Sequence, residues 1–209
     1  MIATAGLGQR LRSLIVAGAV LSGAIWSAPA RAAEAADTEP GPHRLSLGVG
    51  LEMTAPGIDR DALWAEFALN TGVAVGYAYR VLPWLELGAN AVYDHSLQSS
   101  APDVFLPALS LRGFVPVSAN RATELGLTAR TGLMVMGFSD YDLYWHGAAF
   151  TAAADVRHRF SAHWAGQISL ELTRAGAHRT PRNAQEDYTS QSDTVYTALG
   201  LWFRVLLVP

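Results

Sequence analysis

The chain has 209 residues, with 15 arginines and lysines against 18 acidic residues, and it contains no cysteine. The resulting net charge of −3 gives no electrostatic reason to bind nucleic acid. The absence of cysteine excludes disulfide bonds and thiolate metal sites.

The N-terminal segment has the three parts of a secretory signal peptide. Arg10 and Arg12 precede an apolar stretch from Leu14 to Trp26, and Ala30 and Ala32 supply the small residues of a cleavage site. The apolar stretch is shorter than the roughly 20 residues that a membrane-spanning helix needs. We therefore predict a cleaved signal peptide over residues 1–32, a flexible leader over 33–42, and one exported domain over 43–209.

The exported domain contains eight segments in which apolar residues alternate with small or polar ones. A two-residue period is typical of β-strands, because successive side chains point to opposite faces. The predicted strands are His43–Met53, Trp64–Val81, Trp84–His95, Val104–Val117, Thr123–Met136, Tyr144–Phe160, Trp164–Arg174 and Asp193–Leu207.

Short and long connections alternate along the chain. Tight turns are predicted around Leu82–Pro83, Ser118–Ala122 and Ser161–His163, whereas the sequences TAPGIDRDAL, SLQSSAPD, GFSDYDL and AGAHRTPRNAQEDYTSQS join the other strands. Short turns on one rim and long loops on the other are typical of outer-membrane β-barrels. The rim with the tight turns is then periplasmic and carries both termini.

The polar phase of the strands indicates a closed interior. It is dominated by glycine and alanine with isolated charges of both signs, which suits the narrow lumen of an eight-stranded barrel. Near-equal numbers of acids and bases are expected to pair there, because unpaired buried charge is costly. The predicted lumen charge network is Arg44, Glu52, Glu66, Arg80, Glu86, Arg112, Glu124, Arg130, Asp155, Arg157, Glu171 and Arg204.

The apolar phase is predicted to face lipid. The middle of each strand carries no charge on this phase, and aromatic residues gather toward the strand ends, as in the two aromatic belts of membrane barrels. The predicted belts consist of Phe67, Tyr79, Tyr93, Phe105, Tyr144, Phe160 and Trp164. The alternative is a soluble lipocalin-like barrel, whose apolar side chains would point inward.

From about His43 to Leu207 the chain resembles the small eight-stranded outer-membrane barrels of the OmpA/OmpX type. This resemblance implies an all-β, antiparallel, up-and-down transmembrane barrel in the cell outer membrane, surrounded by its lipids. The last strand, TALGLWFRVLL, resembles the signal read by the barrel-assembly machinery, carried here by Gly200, Phe203 and Val205. It departs from that signal at its end, where Leu207, Val208 and Pro209 replace the usual final aromatic residue.

Two groups of polar residues are candidates for a catalytic or a metal site. Asp94, His95 and Ser96 are consecutive, so they alternate between faces and cannot form one catalytic triad. His158 and His163 flank a tight turn but have no clear third ligand. We therefore predict no catalytic residues, no metal site and no cofactor.

The sequence favours a non-enzymatic outer-membrane protein that serves envelope integrity or surface interaction through its long loops. The acidic, aromatic segment Ser139–His146 and the longer segment Arg182–Asp193 are the candidate contacts for a surface ligand. A narrow channel or carrier for small or hydrophobic solutes and a lipid-modifying enzyme of the outer leaflet remain alternatives.

Overall fold

The computed structural model describes residues 41–55, 67–98, 102–138, 143–179 and 194–209. These form eight strands: β1 (His43–Thr54), β2 (Ala68–Leu82), β3 (Leu85–Ser96), β4 (Asp103–Pro116), β5 (Thr123–Phe138), β6 (Leu143–Arg159), β7 (Trp164–Arg179) and β8 (Thr194–Leu207). No helix of the described residues is long and apolar enough to cross a membrane. The predicted signal peptide and residues 33–40 of the leader lie outside the described residues.

The strands close into one antiparallel barrel in chain order, with β8 paired to β1. A path that steps from each residue to its register partner on the next strand, once around the barrel, begins at Arg44 and ends at Thr54. It passes through Ala78, Gly88, Ser110, Arg130, Thr151, Thr173 and Ala198. The path returns to β1 ten residues above its start, which is the stagger that tilts the strands and closes the cylinder. The predicted fold class, an eight-stranded up-and-down barrel, is confirmed.

The two rims differ less in connection length than the sequence suggested. We call the rim with His43 and Leu207 the terminal rim and the opposite one the far rim. At the terminal rim 2, 6 and 4 residues join the strands, and at the far rim 13, 6, 4 and 14 do. The asymmetry therefore comes from the β1–β2 and β7–β8 connections alone.

Strands β6 and β7 reach farther toward the far rim than predicted. β7 continues past Arg174 to Arg179, and β6 begins at Leu143, one residue before its predicted start, so it includes the end of the segment Ser139–His146. The residues that extend β7 pair with the start of β6, from Trp145↔Arg179 to Ala149↔Ala175. The prediction was wrong here because Ala175 and Ala177 face inward and give no hydrophobic alternation against their outward neighbours.

The apolar phase of the strands lies on the outside of the barrel. Leu47, Leu127 and Leu170 have 64%, 71% and 54% of their surface exposed, whereas the alternate residues of the same strands are largely buried. A soluble barrel would bury these leucines. The soluble lipocalin-like alternative is therefore wrong.

The interior contains two kinds of packing. Toward the terminal rim it is filled by arginines and carboxylates, and toward the far rim by apolar side chains. The buried apolar cluster consists of Ala74, Val92, Val104, Leu106, Ala108, Met134, Met136, Trp145, Ala149, Ala175, Ala177, Tyr196, Ala198 and Trp202. The sequence analysis predicted a lumen filled by small residues and charges, and it did not include most of the large apolar residues of this cluster.

Candidate functional site: the barrel lumen

The lumen contains most of the charged residues of the described chain. Of the twelve residues predicted for the lumen network, eleven lie on the inner face, and Glu66 lies outside the described residues. Their burial follows from strand alternation, because each occupies the phase opposite the lipid-facing leucines and valines. They do not form one network, however, but three groups along the barrel axis.

The first group lies next to the terminal rim and contains four arginines and three acids. Arg112 is bound by Asp155, with Nη2···Oδ1 at 2.7 Å and Nε···Oδ1 at 3.0 Å, and also by Glu124 at 3.2 Å. Further contacts are Arg157–Glu86 at 2.8 Å, Arg80–Glu124 at 2.9 Å and Arg44–Glu86 at 3.8 Å. Because each arginine has a carboxylate partner, this group closes the terminal end of the lumen with paired charge.

The second group lies at mid-height and contains one acid between two arginines. Glu171 Oε1 accepts hydrogen bonds from Arg204 Nη1 at 2.6 Å, Ser169 Oγ at 2.7 Å and Arg130 Nη2 at 3.0 Å. Arg130 Nη1 also donates to Glu171 Oε2. The single carboxylate therefore holds both arginines in place across the lumen.

The third group, nearer the far rim, is acidic. Glu52 accepts a hydrogen bond from the hydroxyl of Tyr196 at 2.6 Å, and Asp94 lines the same cavity. Among the described residues, no arginine pairs with either carboxylate. The sequence predicted overall balance of charge, and it did not predict this separation of charge along the axis.

Trp202 lines the same cavity as Glu52, Asp94 and Arg130, and its position depends on glycines. A Cβ at Gly50 would lie 2.6 Å from Trp202 Cε2, and one at Gly72 would lie 2.6 Å from Cη2. The same holds at Gly200, where a Cβ would lie 2.8 Å from Nε1. The glycines that the sequence showed on the polar phase are thus the surface on which the indole lies.

Apolar side chains close the far end of the lumen. Trp145, Met134 and Met136 are fully buried there, on β6 and β5. Below this closure the cavity between Glu52 and Asp94 measures about 10 Å³, enough for about one water molecule. A second cavity of about 60 Å³ lies among the arginines of the terminal half. Both cavities are small, because side chains fill most of the lumen that the structure describes.

The three consecutive residues considered for catalysis divide between the two faces. Asp94 and Ser96 are buried in the lumen, whereas His95 faces outward and its Nδ1 lies 2.9 Å from Asp103 Oδ1. Ser96 Oγ donates to the backbone carbonyl of Gln98 at 2.9 Å. Asp94 and Ser96 thus lie on the opposite face of β3 from His95.

The two histidines considered for a metal have other partners. His158 Nδ1 lies 2.9 Å from Thr123 Oγ1, and His163 Nδ1 lies 3.1 Å from the carbonyl of Val208. Both sites are at the terminal rim. Within the described residues, no group of three or more histidine or acidic side chains could hold a metal ion.

The predicted aromatic belts lie on the outer surface near the two rims. Phe67, Tyr93 and Phe105 are exposed toward the far rim, and Tyr79 and Trp164 toward the terminal rim. Phe160 is partly exposed beside the β6–β7 turn, and the ring of Tyr144 lies outside what the structure describes. Tyr77 and Trp84 join the terminal belt, with the Tyr77 hydroxyl 2.7 Å from His43 Nδ1.

The residues of the predicted assembly signal lie on both faces of β8. Gly200 is buried against Trp202 and Glu52, whereas Phe203 and Val205 are on the lipid-facing phase. Beyond the strand, the backbone N–H of Val208 donates to the carbonyl of His163 at 2.8 Å. The end of the chain is thus attached to the β6–β7 turn.

No protein-family model and no curated protein matches the chain. Among solved structures, Neisserial surface protein A is similar with a TM-score of 0.54 at 9% identity, over 80% of this chain and 99% of that one. OprG from Pseudomonas aeruginosa is similar at 0.47 and 9% identity, over 81% and 96% of the two chains. Ail of Yersinia pestis gives 0.44 at 10% identity, over 80% and 99%.

The first of these likenesses agrees with the fold described above. A closed cylinder satisfies all backbone hydrogen bonds of its strands, so it can lie in hydrocarbon, and an apolar outside with a charged inside is stable only there. The protein is therefore an eight-stranded transmembrane β-barrel of the cell outer membrane.

Proposed function

We propose that this barrel is a non-enzymatic protein that acts at the cell surface, through the far rim, in surface interaction or envelope integrity. The observation that carries the proposal is the filled lumen. Paired arginines close its terminal half, and Trp145, Met134 and Met136 close its far half. A lumen filled in this way by the described side chains leaves the rim and the outer wall as the functional surfaces.

The height of the wall supports the same proposal. β5, β6 and β7 have 16, 17 and 16 residues, against 12 each in β1 and β3. About 9–11 tilted residues are enough to cross the hydrocarbon layer. The excess lies toward the far rim, where the outward side chains of β7 change from leucines to Arg174 and His178. The far rim of β5–β7 thus rises above the membrane.

Two variants distinguish a function of the far rim from a function of the lumen. One shortens the β1–β2 and β7–β8 connections, within residues 56–66 and 180–193, to glycine–serine linkers. The other, Trp145→Ala, opens the far end of the lumen and leaves the connections intact. Each is expressed in a strain that lacks the protein, and detergent sensitivity and adhesion of the cells to coated surfaces are compared with the wild type.

The shortened barrel is expected to fold, migrate as a heat-modifiable band and fail to restore the phenotype, while Trp145→Ala restores it. The purified wild type is expected to give no stable conductance in planar bilayers. If the shortened barrel fully restores the phenotype and the wild type conducts steadily, the protein is a narrow channel instead. If the wild type turns over phospholipid or lipid A and His95→Ala does not, the protein is a lipid-modifying enzyme.

A further inference from the structure

The cavity of about 60 Å³ in the terminal half of the lumen has a strongly cationic wall. Among the described residues, one carboxylate lines it, that of Glu86, against five guanidinium groups, those of Arg44, Arg112, Arg130, Arg157 and Arg204. Hydroxyl and amide side chains also line it, those of Ser46, Asn90, Ser110, Thr128 and Gln167. These residues belong to seven of the eight strands, so hydrogen-bond donors surround the cavity.

The arginines around this cavity outnumber the carboxylates that pair with them. Among the described residues, the terminal and middle groups together hold six arginines and four acids, an excess of two positive charges. Glu52 and Asp94 line the smaller cavity, and of the six arginines only Arg130 lines it with them. Because buried charge without a partner is costly, the terminal half of the lumen favours an additional anion.

Buried polar atoms on the wall of the cavity lack partners. Arg204 has 6% of its surface exposed, and its Nη1 donates to Ser169 and Glu171, both at 2.6 Å. Its Nη2 has no hydrogen-bond partner among the described residues, and neither does the amide nitrogen or the amide oxygen of Asn90. Since buried polar groups in proteins are nearly always hydrogen-bonded, these atoms indicate that a polar species occupies the cavity.

Size and charge distinguish the species that can fill this space. One water molecule needs about 10–15 Å³ of such volume, so the cavity has room for about four oxygen-sized atoms. Water would offset no charge, and one halide ion would offset a single charge and leave most of the space empty. A tetrahedral oxyanion has four oxygens and up to two negative charges, and the fork of a guanidinium group matches its geometry.

We propose that this cavity binds a doubly charged tetrahedral oxyanion, phosphate or sulfate, with Arg204 Nη2 and Asn90 Nδ2 among its donors. The ion exchanges with solution at the terminal rim, where the bonded side chains of Arg80 and Glu124 are 18% and 12% exposed. Deeper members of the same group, such as Glu86, are almost fully buried. The site therefore lies at the other end of the barrel from the rim that carries the proposed surface function.

The test uses the full mature barrel, refolded in detergent micelles in sodium chloride, sodium phosphate or sodium sulfate at equal ionic strength. Tryptophan fluorescence gives the thermal midpoint, and isothermal titration of phosphate or sulfate into the protein refolded in chloride gives Kd. Arg204→Gln removes the charged donor, and Asn90→Leu replaces the amide by an apolar group of similar shape. Because excluded salts stabilise folded proteins in general, the comparison among variants is what identifies a site.

Arg80→Gln is the matched control, because it removes an arginine of the same lumen that does not line the cavity. The partners of Arg80 keep other arginines, since Glu124 also pairs with Arg112 and Glu86 with Arg157. In Arg204→Gln, likewise, Glu171 keeps its bonds to Arg130, so these variants are expected to fold.

Phosphate and sulfate are expected to raise the wild-type midpoint by about 5 °C over chloride at about a hundredfold excess over Kd. Arg204→Gln and Asn90→Leu are expected to weaken binding about tenfold or more, as the loss of a hydrogen bond to a charged group predicts. Arg80→Gln is expected to keep most of the affinity. The same wild-type midpoint in all three salts would show that the cavity holds water alone and would overturn the site. An equal loss of affinity in Arg80→Gln would assign the effect to the overall charge of the lumen and would overturn it as well.

Discussion

Glycine at position 50 is required by the indole that lies against it. The ring of Trp202 occupies the space of a Cβ, with Cε2 and Cε3 only 2.6 Å from where that atom would be. The ring also lies against Gly72, beside Asp94, and against Gly200, beside Glu52. Packing of this part of the lumen therefore requires a residue without a Cβ atom at position 50.

Gly50→Ala is expected to lower the free energy of unfolding by about 1–3 kcal/mol, the usual cost of an added group in a filled interior. Urea unfolding in lipid vesicles, followed by tryptophan fluorescence, measures the change. Gly113→Ala is the control, because a Cβ at Gly113 meets nothing within 4 Å. If both variants lose the same stability, the effect belongs to strand propensity and not to Trp202.

Glu171 has a larger role than the other lumen acids, because among the described residues it is the carboxylate bonded to both Arg130 and Arg204. Glu171→Gln leaves two buried guanidinium groups without a counter-charge and is expected to cost about 3–5 kcal/mol. Glu124→Gln removes a carboxylate whose arginines keep Glu86 and Asp155, so it should cost less. Urea titrations at low and high NaCl measure both, and the difference should persist at high salt because buried pairs are little screened. Equal losses in the two variants would show that pairing does not set the stability of the lumen.

At the level of the strand, depth in the membrane decides what a lipid-facing position tolerates. Leu170 of β7 and Val115 of β4 are similarly exposed, at 54% and 58%, but Leu170 is near mid-strand and Val115 is next to the terminal rim. Leu170→Arg is expected to cost about 2–4 kcal/mol and Val115→Arg about 0–1 kcal/mol. Urea unfolding in vesicles measures both, and comparable costs would mean that the barrel does not lie in the membrane at this depth.

The two-residue alternation of apolar residues in the sequence predicted most of this fold. It could not identify the inner face of a strand whose two phases are both apolar. β7 reads Trp164, Ile168, Leu170 on one phase and Gln167, Glu171 on the other, so its two faces could be predicted. β4 is apolar on both phases, with Leu106 and Phe114 inside and Leu109 outside, so its inner face gave no separate signal. Pairing between distant charges, such as Arg157 with Glu86, depends on barrel closure and not on local pattern.

On the scale of the whole molecule, charge is ordered along the barrel axis. Arginines exceed acids in the terminal and middle groups, whereas Glu52 and Asp94 have no arginine bonded to them among the described residues. In a cylinder filled by side chains, each group interacts mainly with its own layer, so overall neutrality does not ensure local pairing. The layered arrangement explains why counting charges predicted the balance of the lumen but not its acidic far half.

Closure between the first and last strands distinguishes a barrel from an open sheet, and it can be tested with engineered cysteines. Val49 of β1 and Phe203 of β8 are register partners on the lipid-facing phase. Cross-strand partners have Cα atoms about 4.5–5.5 Å apart, which a disulfide can bridge. The chain has no cysteine of its own, so a bond formed by Val49→Cys with Phe203→Cys is unambiguous.

The folded double variant is expected to form an intramolecular disulfide, seen as a faster band in non-reducing gel electrophoresis after heating. Val49→Cys with Ile168→Cys is the control, because Ile168 is on β7 in the same row but one strand farther from β1. That pair should stay reduced, since the intervening β8 places its Cα atoms about 10 Å apart, beyond the reach of a disulfide. Cross-linking of the control, or none in the register pair, would mean that β1 and β8 do not meet in this register.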